Sequence, residues 1–141
     1  NRQNLEKTVS PEGRSRAFIT VFARPALFRI RADLGSMYGF REFTDGRGEA
    51  FSLYSGRESS LVLPRQPFSI TDKLPFLSEA GFGRFILDLS AGTAGPPLKK
   101  QEYRDLSKAV KEAAPLPGAS RFNWKNGFYQ EADRGEQADA R

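Results

Sequence analysis

The apolar positions along the chain fall into short blocks, and the spacing within each block predicts its element. In RAFITVFARPALFRIRADL, Phe18, Thr20 and Phe22 alternate with Ile19 and Val21. β-Branched and aromatic residues on both parities predict a strand buried on both faces. Arg24-Pro25 interrupts it, because proline brings no N–H to a sheet ladder. A second extended piece follows, with Leu27, Arg29 and Arg31 opposite Phe28, Ile30 and Ala32. Residues 40–64, FREFTDGRGEAFSLYSGRESSLVLP, read as a small antiparallel meander. Asp45-Gly46-Arg47-Gly48 and Ser55-Gly56-Arg57 supply its turns, since glycine accepts positive φ without a steric penalty.

The next block, PFSITDKLPFLSEAGFGRFILDLS, reads as strand, helix, strand. Thr71-Asp72 offers N-cap oxygens, Pro75 falls in a first turn where its missing N–H costs little, and Gly81 stands where a C-cap belongs. Two strands joined by a short helix predict a parallel pair with a right-handed crossover. QEYRDLSKAVKEA has helical spacing, with Tyr103, Leu106, Val110 and Ala113 on one side. Pro115-Leu116-Pro117-Gly118 ends it. The expected fold is α/β, with α+β as the neighbouring class: a β meander followed by β-α-β-α. Residues 1–14 are polar and broken by Pro11 and Gly13, and read as a flexible tail; residues 15–130 form one domain; the charged 131–141 read as a disordered tail.

Composition narrows the chemistry. The 141 residues suffice for one domain with a sizeable core. There is no cysteine, hence no disulfide, thiolate nucleophile or iron–sulfur ligand, and no histidine, the commonest general base and zinc ligand. No cofactor or metal is expected. No apolar run approaches membrane-span length, so a membrane is not an expected partner and the cytoplasm is the default location. The only methionine is Met37, so residue 1 is not an initiator, and the chain reads as a fragment or processed product. Twenty-two Lys and Arg against 17 Asp and Glu give a net charge of +5, which makes RNA a candidate partner.

Three groups of residues could carry a site. Arg121-Phe122-Asn123-Trp124-Lys125-Asn126-Gly127-Phe128-Tyr129 mixes base-stacking rings, Trp124 and Phe128 among them, with cations suited to single-stranded nucleic acid. The same alternation also describes a strand packed on the core. Arg24, Arg29, Arg31 and Arg41 could hold phosphate or carboxylate, or lie on a solvated sheet face in ion pairs with Asp33 or Glu42. Asp88 ends an apolar strand, the end at which parallel α/β folds bind ligands. It could equally be a cap or a structural ion-pair partner. No nucleophile is nominated.

Residues 43–90 also resemble the later part of the U-32 peptidase family, the collagenase-like proteins. Phe43, Asp45, Gly48, Glu49, Phe51 and Leu53 stand in the family's L-x-D-x-x-G-E-x-F-P/S-L pattern. Ile70, Leu74, Leu77, Ala80 and Gly81 match its I-x-x-L-x-x-L-x-x-A-G helix, and Phe85, Leu87 and Asp88 the strand that follows. With ITVFARPALFRIR before and SRFNWKNGFY after, the resemblance covers about residues 17–130. It implies the later strands of a (β/α) barrel from a hydrolase or an RNA- or cofactor-modifying enzyme. The cluster-binding cysteines of some members have no counterpart, and of the Cys-Arg pair only Arg41 carries over. The chain would then contribute scaffold and substrate binding, with Arg29, Arg41 and Asp88 near the mouth and Trp124 and Phe128 as stacking surfaces. Its expected partners are the remainder of a larger chain or a homo-oligomer, which would cover unpaired strand edges. A non-enzymatic RNA- or protein-binding module is the alternative.

Overall fold

A computed structural model describes residues 2–46, 48–56, 58–90 and 98–119. Trp124 and Phe128 lie outside the described residues, as does the rest of 120–141. The described chain is mixed α/β, with two sheets.

The first sheet is built on β1 (Phe18–Ala23), flanked by β6 (Phe68–Ser69) and β7 (Arg84–Leu87) in the order β6-β1-β7. The expected burial of β1 on both faces is met in its C-terminal half only: Val21 is 1% exposed and Phe22 is 2% exposed, and strand alternation sends them to opposite sides, whereas Phe18 and Thr20 are exposed. Val21 packs with Leu77 of α4 (Leu74–Glu79) and with Phe82. Phe22 packs with Leu98 and with Leu106 of α5 (Lys100–Glu112). The sheet is therefore the middle layer between α4 and α5.

The parallel pairing expected for the two strands around α4 does not form. β1 lies between them, antiparallel to β6 and parallel to β7. A strand apolar on both faces gains most from the central position, where both its edges are also paired. The two-residue β6 offers too short a ladder to replace it.

Residues 1–14, expected as a tail, are largely helical: α1 (Arg2–Thr8) and α2 (Pro11–Arg14). Leu5 and Val9, four residues apart and so on one helical face, pack against the Val21–Leu77–Phe82 core. Ser10 caps α2 by accepting from the Gly13 N–H. Polar composition hid a two-residue apolar stripe that tertiary packing uses.

The second sheet has the order β2-β5-β4-β3, comprising β2 (Phe28–Ile30), β3 (Glu42–Thr44), β4 (Ala50–Ser55) and β5 (Ser60–Pro64). All its pairs are antiparallel, as the meander predicted. Gly48 adopts φ +82° in the β3–β4 turn, where the Asp45 carboxylate accepts from the Glu49 N–H. Phe51, Leu53 and Val62 form its core beneath the short helix α3 (Leu34–Tyr38), whose Leu34 packs against them.

Candidate binding groove

β3 and β4 pair from Thr44↔Ala50 to Glu42↔Ser52, and the Leu53 N–H still donates to the Arg41 carbonyl at 2.7 Å. Beyond that bond the chain on the β3 side leaves the sheet and connects to α3. Tyr54 and Ser55 at the end of β4 therefore border a groove instead of a strand. Its volume is about 850 Å³, and Asp33, Ser36, Arg41 and Ser52 also line it.

Serine hydroxyls hold α3 over the sheet. Ser60 is fully buried; its Oγ donates to the Ala32 carbonyl at 2.8 Å and accepts from the Leu34 N–H at 2.9 Å. Ser55 Oγ, 3.1 Å from Ser60 Oγ, accepts from the Gly35 N–H at 3.0 Å. Glycine at 35 permits that approach, since a Cβ there would lie 2.6 Å from Ser55 Oγ. Asp33 caps α3 by accepting from the Ser36 N–H at 3.1 Å, and Gly39 at φ +70° closes its C-terminus.

The Ser36 N–H, ahead of smaller contributions from Ser36, Ser55 and Gly35, holds the Asp33 carboxyl below its ordinary value of 3.8. A depressed carboxyl contributes stability above its unfolded value and loses it as pH falls through the lower folded value. Asp88 and Glu12 are shifted in the same direction. The urea midpoint is therefore expected to fall between about pH 5 and about pH 2. Asp33→Asn, which keeps a capping oxygen, should show a smaller fall; an identical fall would remove Asp33 as a contributor.

Arg41 is the groove's free cation. It is exposed, and its guanidinium makes no hydrogen bond or ion pair with any described residue. Glu42 beside it turns instead to Arg65 at 3.5 Å, an exposed pair of small energetic weight. Next to the groove runs a file of rings: Tyr38, Phe40, Phe43 and Phe51, with successive centroids 6.1, 5.9 and 5.3 Å apart. Phe51 is buried in the core, whereas Tyr38 is 64% exposed. The core thus anchors a set of aromatic faces at the surface.

The other sequence candidates are dispersed. Arg29 is exposed on β2, with β5 and β4 between it and β3. Arg31 is exposed just beyond β2. Arg24 lies by a separate cavity of about 200 Å³ and forms an ion pair at 2.7 Å, with Glu102 of α5 and with neither of the expected partners, Asp33 and Glu42. Asp88 follows β7 in the other sheet; its Oδ1 accepts from Ser90 Oγ at 2.6 Å and the Ser90 N–H at 2.9 Å. The Ser90 hydroxyl is the main reason its carboxyl sits below the ordinary value. Asp88 is a local cap in this arrangement.

Sequence reading missed Asp33, Ser36, Tyr54 and Ser55. The D-x-x-S spacing of Asp33 and Ser36 was the available signal for a capped helix. Among the described residues, no group of three or more His, Cys, Asp or Glu could hold a metal ion, and no helix is long and apolar enough to cross a membrane. The fold and groove define a mixed α/β domain with a polar cleft beside exposed rings. No family model, curated protein or solved structure matches the chain.

Proposed function

We propose that this chain is the scaffold and substrate-binding part of a U-32 peptidase-like protein, a hydrolase or RNA-modifying enzyme of the cytoplasm. The position of Arg41 carries this reading. It is the one residue that the resemblance transfers from the family's Cys-Arg pair, and it lines the groove between α3 and β4 with no hydrogen-bond or ion-pair partner for its guanidinium among the described residues. A guanidinium there presents a planar fork of donors to a carboxylate or phosphate. The hydroxyls of Ser36, Ser52 and Tyr54 offer further hydrogen bonds to an extended substrate. A cysteine-free chain draws nothing from an oxidising compartment, which fits the cytoplasm.

Fluorescence anisotropy with a labelled acidic peptide and a labelled oligouridylate tests the assignment. Arg41→Ala should weaken binding of the anionic probe about tenfold or more, the effect of one charge-assisted hydrogen bond. Unchanged binding of both probes removes Arg41 from the site.

The second reading is a non-enzymatic RNA-binding module. The exposed rings of Tyr38 and Phe40, just before Arg41 in sequence, favour it, together with the net charge of +5. Oligouridylate affinity should then fall linearly with salt on logarithmic axes, whereas apolar docking of a protein partner should barely change.

A further inference from the structure

β7 is a four-residue edge strand with exposed apolar side chains between two charged residues, Arg84 and Asp88. Among the described residues it has β1 on one side and no strand on the other. Its sequence, Arg84-Phe85-Ile86-Leu87, continues into Asp88 and Leu89. Ile86 and Leu87 are 39% and 38% exposed, and Leu89 is 38% exposed. Arg84 stacks over the ring of Phe18, itself 62% exposed on the neighbouring strand, with 5.4 Å between guanidinium carbon and centroid. Arg84 has no carboxylate partner among the described residues. Natural edges are usually shortened, bulged, charged along their length or covered.

The backbone direction at this edge follows from one bond. The Asp88 N–H donates to the Phe22 carbonyl of β1 at 2.8 Å. Alternation along a strand then turns the backbone groups of residues 84, 86 and 88 towards β1, and those of 85 and 87 towards the open side.

We propose that β7 pairs antiparallel with β7 of a second copy of this chain, about a two-fold axis at Ile86, joining two three-stranded sheets into one of six strands. This register places Phe85 opposite the second copy's Leu87, so the outward N–H and C=O groups exchange hydrogen bonds in both directions. Ile86 meets Ile86 in the closer, non-hydrogen-bonded type of pair. Arg84 falls opposite Asp88 of the other copy, and Asp88 opposite Arg84, giving two cross-strand ion pairs. Shifting the axis to Phe85 or Leu87 sets Arg84 against Ile86 or Ile86 against Asp88, and loses the charge match. Charge complementarity therefore selects a second copy in one register, independently of what the Arg41 groove binds.

The absence of cysteine makes the test clean. In the 141-residue chain, Ile86→Cys should form a covalent dimer under mild oxidation, since opposite residues in a non-hydrogen-bonded pair lie within disulfide reach. Phe28→Cys, more exposed than Ile86 but on the other sheet, should not. Sedimentation equilibrium of the unmodified chain should show twice 15.7 kDa with rising concentration. Arg84→Asp and Asp88→Arg should each weaken dimerisation about tenfold or more, and the double exchange should restore it. A chain that stays monomeric to about 1 mM overturns the proposal. So does a dimer that neither crosslinks through Ile86→Cys nor responds to Arg84→Asp, because it uses another surface. Folding of each variant is checked by circular dichroism, and crosslinking decides the matter where a charge variant fails to fold.

Discussion

Phe22→Ala is expected to lower the stability of the domain by about 3–5 kcal/mol, the range for truncating a buried phenylalanine. Few single changes here should cost more, because Phe22 joins three layers at once. Its ring is 2% exposed and packs against Leu98 and Leu106, the contact that seats α5 on the sheet. Its backbone pairs with Ser69 on one side and Leu87 on the other, and its carbonyl accepts from Asp88. Truncation leaves a cavity between sheet and helix that α5 fills poorly, having only Leu106 and Ala109 buried along its length. Small domains have about 5–15 kcal/mol in total, so the variant should be partly unfolded at ambient temperature. Urea titration followed by circular dichroism reads the effect. Phe22→Leu, which keeps most of the volume, should cost less than half as much. A loss below about 1 kcal/mol for Phe22→Ala would show that α5 contributes little to the folded core.

How legible each part was depended on how local its cause is. β1 could be read because five consecutive β-branched or aromatic residues, Phe18 to Phe22, fit little else. The meander could be read because its turns carry their own chemistry, such as Asp45 and Gly48. α5 was legible from its spacing over thirteen residues. Strand order was not, because insertion of β1 between β6 and β7 depends on which strand gains most from a central place. α3 was hidden for another reason. It has five residues including Gly35, too few to show a period, and is held by Ser60 and Ser55 from strands twenty or more residues away. The groove inherits that difficulty. Arg41 could be nominated from its residue type, but the cavity around it exists only once β4 outlasts β3 and α3 crosses above.

Arg14→Ala carries the second large effect, expected at about 2–3 kcal/mol. Arg14 lies within the stretch that composition marks as a tail, where a surface substitution should stay within about 0.5 kcal/mol. In the fold its half-buried guanidinium donates to three carbonyls. Nη2 reaches Glu6 at 3.0 Å, Nε reaches Val9 at 3.3 Å, and Nη1 reaches Ala80 at 3.1 Å. Glu6 and Val9 lie at the C-terminal end of α1, and Ala80 caps α4. Terminal helix carbonyls lack intrahelical partners, and a cation suits the negative end of each helix. The same group lies 5.9 Å from the ring centroid of Phe82 in the core. One side chain thus ties the first helix to the fourth, and alanine leaves all three carbonyls to water or to nothing. Arg14→Lys should recover only part of the loss, because an ammonium on a flexible stem does not span three acceptors as a planar fork does. The unfolding midpoint gives the magnitude, and limited proteolysis gives the location. Cleavage within residues 1–14 should become much faster in Arg14→Ala while the rest of the chain stays protected. Unchanged cleavage with an unchanged midpoint would mean that α1 and α2 do not depend on this clasp.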